Sequence, residues 1–330
     1  MEQKYIGIDL HKASFHACAL SQDGTRLWES KFPRTAAGIA AFAAQEVAGA
    51  QVAVEATGPT WAFVDSVTAL GMRACVVDPR KTKIKAGFAA KTDRLDARRL
   101  ADALRRESVV SIYVPPPAIR ELRELSRGRQ QLVRTRTRVV QAIRALLLRQ
   151  DAPEPPVTSL LGVKGLAWLK TIHVAGASEA TLRRLERVLL AVHTEARAAE
   201  AAVKAAAADD PIAVGLTRVV GVGPILSVVL RAEIGTIERF ASGAALASYA
   251  GVVPRVEASA GKVRYGGITR QGSPWLRWAL VEVALHATKR SDARGRWVRR
   301  LALHKGIRKA RVALARRMCD EIVQTWRQIG

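Results

Sequence analysis

The chain is poor in cysteine: Cys18, Cys75 and Cys319 are widely spaced, each lies among apolar neighbours, and none forms a C-x-x-C pair. This excludes a thiolate zinc site and predicts reduced core thiols in a reducing compartment. Long apolar runs are missing too, none approaching the roughly 18 residues that span a bilayer. The opening stretch, "MEQKYIGIDLHK", lacks a basic region followed by an apolar core, which is the pattern of a secretory leader. No internal repeat is evident. These absences predict a soluble, cytoplasmic protein with no membrane partner.

Acidic residues are scarce relative to basic ones. The 330 residues hold 29 Asp+Glu against 53 Lys+Arg, a formal net charge of +24. A surplus of that size repels itself on a folded chain and points to a polyanion that neutralises it, nucleic acid before an anionic membrane surface. The apolar fraction of 49% suits a globular protein, and the length suits two or three domains.

What is present divides the chain into three parts. Over 1–112, short apolar strands alternate with helical spacing: "KYIGIDL", an alternating run from Ser14 to Leu20, a third strand through Trp28, then "TAAGIAAFAAQEV", "AQVAVEATG", "TWAFVDSVTAL" and "RACVVDP". This order predicts a mixed α/β sheet with helices on its faces. "VPPP" at 114–117 breaks the pattern. Over 113–208, Leu122, Leu125, Leu132, Val139, Ile143 and Leu146 mark one long helix, although Arg129 and Arg136 interrupt its seam. Leu182, Leu185, Leu189, Val192, Ala196, Ala199 and Val203 mark a second. Two such helices predict an antiparallel coiled-coil hairpin or a dimerisation arm. The arginines around the first helix, Arg129, Arg134 and Arg136 among them, suit phosphate contact better than a merely solvated face. Over 209–330 a mainly helical region begins with two helices joined through "GVGP", a helix-hairpin-helix-like turn whose Gly221 and Gly223 could expose backbone N–H groups to a phosphate. A basic loop and amphipathic helices follow.

Four acids stand out in the first part. Asp9 closes the first strand and Glu55 a later one, while Asp93 and Asp96 open a helix in "KTDRLDARRLADALRR". Each alone reads as a turn or cap, and Asp93 in particular as an N-cap. Together they can converge at the carboxyl edge of a sheet, where clustered carboxylates repel unless cations neutralise them. Two Mg²⁺ ions would do so while clamping the attacking and leaving oxygens of a phosphodiester. Lys12, Lys91, Arg94, Arg98 and Arg99 are placed to attract the same backbone.

"GIDLHK", "VEATG" and "KTDRLDARRLA", in this order and spacing, resemble the RuvC-like DEDD domain of the IS110 family of insertion-sequence transposases. "GVGPILSVVLRAEIG", "FASGAALASYAGVVPR" and "GKVRYGGITRQGSPWLRWAL" resemble that family's C-terminal transposase domain. The resemblance covers roughly 4–108 and 215–290. It implies a RuvC/RNase H-like fold, Mg²⁺ held by Asp9, Glu55, Asp93 and Asp96, and a serine nucleophile matching Ser259 in "VEASAGK". The glycine that ordinarily follows that serine is Ala260 here, with Gly261 one residue on. Ser273, in "RQGSPW", is the second candidate. Lys262, Arg264, Arg270 and Arg277 would face the phosphate. It further implies a covalent serine–DNA intermediate, donor and target DNA as substrates, a noncoding bridge RNA as guide, and a dimer or tetramer. Guide pairing would also account for the lack of a base-reading module.

Other readings stay open at this point. A Piv-type DNA invertase shares these motifs. A Holliday-junction nuclease would use the same acids with water as nucleophile. An architectural nucleic-acid binder explains the charge but not the acids. A sugar or acetate kinase needs a Gly/Thr-rich loop after Asp9, where "HKAS" stands instead.

Overall fold

The computed structural model describes residues 3–45, 47–78, 82, 92–259 and 262–329. They fall into two compact units, Met1–Val114 and Pro115–Gly330.

The first unit contains β1 (Tyr5–Leu10), β2 (Ser14–Leu20), β3 (Arg26–Pro33), α1 (Ala36–Ala43), β4 (Gln51–Glu55), α2 (Thr60–Ala69), β5 (Arg73–Val77), α3 (Asp93–Arg105) and β6 (Ser111–Ile112). The six strands form one sheet in the order β3-β2-β1-β4-β5-β6. β1, β4 and β5 run parallel, while β2, β3 and β6 pair antiparallel with their neighbours. The central strands are short and apolar, as expected where helices cover both faces.

Because successive strand residues point to opposite faces, β1 and β4 each split their side chains in two. Ile6, Ile8, Leu10, Val52 and Val54 enter a core with Phe15, Phe32, Phe42 and Phe63, whose rings pack 4.9–5.5 Å apart. The other face is covered by α3, through Ala97, Leu100, Ala101 and Leu104. Gly7 permits that approach: a Cβ there would lie 2.0 Å from the Ala97 carbonyl oxygen and 2.3 Å from the Ala101 nitrogen. Asp9 follows Gly7 on this face by the same alternation, and Glu55 follows Ala53.

The second unit contains α4 (Pro117–Arg149), α5 (Val163–Thr171), α6 (Ala177–Asp209), α7 (Pro211–Leu216), α8 (Pro224–Ile234), α9 (Gly243–Ala250), β7 (Pro254–Ser259), β8 (Lys262–Ile268), α10 (Pro274–Thr288), α11 (Ala293–Lys305) and α12 (Ile307–Ile329). α4 and α6 pack antiparallel, since Arg129 bonds Glu200 and Arg136 bonds His193 further along α4 but earlier along α6. On α6 the buried residues Leu182, Leu189, Ala196 and Val203 recur every seventh position. The spacing expected on α4 holds at Val139, Ile143 and Leu146 but not at Leu125, which is exposed, while Ser126 and Gln130 are buried. The reason is a second partner: the first half of α4 also meets α8, through Arg123 and Arg127. That shared packing joins the hairpin to the C-terminal helices in one unit. A core of Leu230, Leu246, Leu276, Leu280, Val283, Leu314 and Ile322 lies under α8–α12.

Candidate active site

The parallel pairing of β1 with β4 sets Ile8 beside Val54. One residue further along each strand come Asp9 and Glu55, so both acids stand at the carboxyl edge of the sheet and on the α3 face. α3 lies antiparallel to β1, with Ala97 over Gly7, which brings its first turn back to that edge. The helix starts where it does because the Thr92 hydroxyl accepts a hydrogen bond from the Leu95 backbone N–H at 3.3 Å. Thr92 is therefore the N-cap. The capping role expected of Asp93 is taken by its neighbour, and the Asp93 carboxylate is free for another use.

That use is shared with Asp9 and with His11, a residue the sequence reading left unassigned. The His11 imidazole Nε2 lies 3.3 Å from Asp9 Oδ2 and 3.4 Å from Asp93 Oδ2. One ligand atom from each of the three lies within 4.8 Å of the others. Burial pushes the Asp9 carboxyl above its ordinary range; His11 opposes the shift, and Asp93 and then Asp96 reinforce it. Two carboxylates facing each other across an imidazole form an oxygen- and nitrogen-donor set that fits a divalent cation. Asp96 is paired instead with Arg99, at 3.2 Å. Glu55 ends β4, half-buried.

The surrounding cations are placed unevenly. Arg94 is ion-paired with Glu29 on β3, while Lys12 and Arg98 are exposed. Lys91 lies outside the described residues.

In the second unit Ser259 ends β7 opposite Lys262 at the tip of the β7–β8 hairpin, and Ala260 and Gly261 lie outside the described residues. Arg264 is exposed on β8. Arg270 holds a positive φ of 56°, and its backbone N–H reaches the Gly251 carbonyl. Arg277 donates to the Ala250 and Gln271 carbonyls. Ser273 is the N-cap of α10: its hydroxyl accepts from the Trp275 and Leu276 N–H groups and donates to Glu233 Oε2 at 2.7 Å. Glu233 is 1% exposed and is gripped by Arg127 through two bonds of 2.8 and 3.0 Å. The arginines of α4 are also engaged: Arg129 with Glu200, Arg136 with His193, and Arg134 over the Trp275 ring at 4.5 Å. Gly221 has a φ of 90°, and a Cβ there would lie 2.5 Å from the Val283 carbonyl oxygen, so close packing on α10 requires it. Gly223 is the residue before α8, in open space.

Among the described residues no helix is long and apolar enough to cross a membrane. Residues 6–150 match a family model described as a transposase of the DEDD type, and 215–298 match a model described as the transposase IS116/IS110/IS902 family. The transposase for insertion sequence element IS1111A of Coxiella burnetii is 26% identical over 94% of this chain and 86% of its own length. The transposase for insertion sequence element IS1328 of Yersinia enterocolitica is 26% identical over 84% and 82%. A probable family 20 transposase of Pseudomonas aeruginosa is 26% identical over 80% of each. The first match contains the strand-edge acids and α3, the second contains the β7–β8 hairpin and α10, and with both in order the chain belongs to the IS110 family of insertion-sequence transposases.

Proposed function

We propose that the protein cuts and rejoins DNA through a covalent serine–DNA intermediate. The observation that carries the phosphodiester chemistry is the convergence of Asp9 and Asp93 at the carboxyl edge of a RuvC-like sheet, in a chain whose charge demands a polyanion; the serine is carried over from the family match over 215–298. Asp9, Glu55, Asp93 and Asp96 would hold Mg²⁺, which supplies charge neutralisation for the phosphate and for the oxygens entering and leaving it. His11, whose Nε2 lies between the Asp9 and Asp93 carboxylates, would add a nitrogen to that donor set.

Ser259 is the nucleophile. Its Oγ forms a bond to phosphorus as the bond from phosphorus to a deoxyribose oxygen breaks, and the hydroxyl proton passes to that leaving oxygen. Attack by a second DNA end reverses the exchange and frees the serine, so bond energy is conserved without a nucleotide cofactor. Lys262, Arg264 and Arg270 stabilise charge on the phosphate. Ser273 is the weaker candidate because its hydroxyl is already spent on the α10 cap and Glu233. The assembly would be an oligomer, dimer or tetramer, built on the α4–α6 hairpin. A noncoding guide RNA would select donor and target DNA and account for the rest of the positive charge.

The test is the adduct itself. Cells carrying the element and its flanks are lysed in detergent, and DNA linked to the protein is recovered and sequenced. Ser259→Ala should abolish both adduct and recombination, and Ser273→Ala should spare the adduct. Cleavage that survives Ser259→Ala without an adduct would replace this reading with that of a water-using nuclease. Sequencing of RNA that co-purifies with the protein checks the guide.

A further inference from the structure

A groove of about 960 Å³ opens in the second unit. Val252, Ile268 and Val312 give it an apolar lining, and Tyr265 of β8 stands at it with 73% of its surface exposed. The lining also includes residues of α12 and of the stretch before it, where Lys305, Arg308, Lys309 and Arg316 are all exposed. None of these four forms an ion pair with a described residue. Asp320 is the one acid among the lining residues described.

The arrangement is ordered along the helix. Arg308, Val312 and Arg316 follow one another at four-residue spacing, hence on one face, and the two arginines are separated by about 12 Å of helix axis. Cations repeated along an apolar trough match a chain of phosphates with something apolar between them. Duplex DNA encloses its bases and offers mainly phosphates, so it has no use for an apolar floor. An unpaired strand presents base faces as well, and these stack on exposed aromatic rings. Tyr265 pairs with Val256 in the hairpin, and Ser259 lies three residues beyond Val256, about 10 Å along the strand. Tyr265 thus belongs to the same hairpin as Ser259 and lies within about 10 Å of its tip.

We propose that this groove holds an unpaired stretch of the DNA strand that is cut, its phosphates along Arg308 and Arg316 and a base on Tyr265. The choice of the cut strand rests on the serine reading; the preference for an unpaired strand rests on the groove alone.

The experiment uses the full chain and fluorescence anisotropy with labelled oligothymidine, a duplex of equal length and oligouridine. Tyr265→Ala should weaken binding of oligothymidine about tenfold and leave the duplex within about twofold, whereas Tyr265→Phe keeps the ring and the affinity. Arg308→Gln with Arg316→Gln should lower the slope of log affinity against log salt by about 1.4 on the single strand. Ser259→Ala should change none of these values. Loss of the adduct in that variant tests the nucleophile separately. Photocrosslinking of iododeoxyuridine to Tyr265 reads the contact without any substitution. Equal losses on duplex and single strand, losses confined to oligouridine, or unchanged binding in every variant would each overturn the proposal.

Discussion

The two units treat buried or half-buried acids in opposite ways. In the helical unit, Glu233 is 1% exposed and fully engaged: Arg127 supplies two charge-assisted hydrogen bonds and Ser273 a third. In the sheet unit, Asp9 and Asp93 face each other with only the His11 imidazole between them, although arginines are abundant in the sequence nearby. Arg94 and Arg99 are turned to other acids, Glu29 and Asp96. A protein with 53 basic residues has no shortage of cations to pair with Asp9. An acid left in that state suits the metal-binding role proposed for Asp9, whereas Glu233 is a structural tie between α4, α8 and α10.

Glu233 should show the larger effect on stability. Replacing it by Ala removes two charge-assisted hydrogen bonds from Arg127 and one from Ser273; Arg127 is 36% exposed and can turn to water, so the loss is about 3 kcal/mol. At the size of this unit that lowers the thermal midpoint by on the order of 10 °C, measurable by calorimetry. Added Mg²⁺ should not restore it.

Asp9→Asn should do the reverse. Transposition falls at least about a hundredfold, the equivalent of roughly 3 kcal/mol of transition-state stabilisation, while the fold is preserved. The folded chain raises the Asp9 carboxyl above its ordinary value of 3.8, so the native state holds this proton more tightly than the unfolded chain. Stability of the wild type therefore falls as pH rises from about 3.8 through the raised value, and Asp9→Asn escapes that loss. The variant should melt at or above the wild type at neutral pH, and the gap should close in acid. Mg²⁺ or Mn²⁺ should raise the midpoint of the wild type alone. A variant that melts well below the wild type at pH 7 would place Asp9 with Glu233 as a structural acid.

Much of the sheet unit can be read from the sequence because its signals are local. Strand alternation, the acids at the ends of "YIGIDL" and "QVAVE", and the amphipathic run after Thr92 all translate directly into β1, β4 and α3. His11 is not legible, since a histidine just past a strand looks like any loop residue until α3 folds back beside it. Glu233 is hidden for a related reason. It sits in "VVLRAEIG", which reads as an apolar helix with an acid at its solvent edge, and its partners lie 106 residues earlier and 40 residues later. Leu125 misleads because a 3-4 spacing assumes one partner face, and α4 meets both α6 and α8.

Gly7 links the local to the long-range. Gly7→Ala would drive a methyl against the Ala97 carbonyl and the Ala101 N–H, which are backbone atoms of α3 that cannot rotate aside. An overpacking cost of about 1–3 kcal/mol follows, and α3 must lift from β1, carrying Asp93 away from Asp9. The variant should lose divalent-cation affinity, read by Mn²⁺ titration, in excess of what its lowered stability explains. Tight cation binding in this variant would show that the cluster does not depend on the close approach of α3.

The smallest effect separates two neighbouring residues at the start of α3. Thr92→Ala removes the side chain that caps the helix, at about 1 kcal/mol, and leaves the Asp9–His11–Asp93 cluster in place. Asp93→Ala keeps the cap and removes a carboxylate whose partners are His11 and a repelling Asp9. Relief of that repulsion offsets the lost interaction with the helix dipole, so Asp93→Ala should cost less stability than Thr92→Ala while abolishing cation-dependent stabilisation. Chemical denaturation of the two variants, with and without Mg²⁺, orders them. If Asp93→Ala proves the more destabilising in the absence of metal, the acid is serving the helix, and the contrast with Glu233 narrows to Asp9 alone.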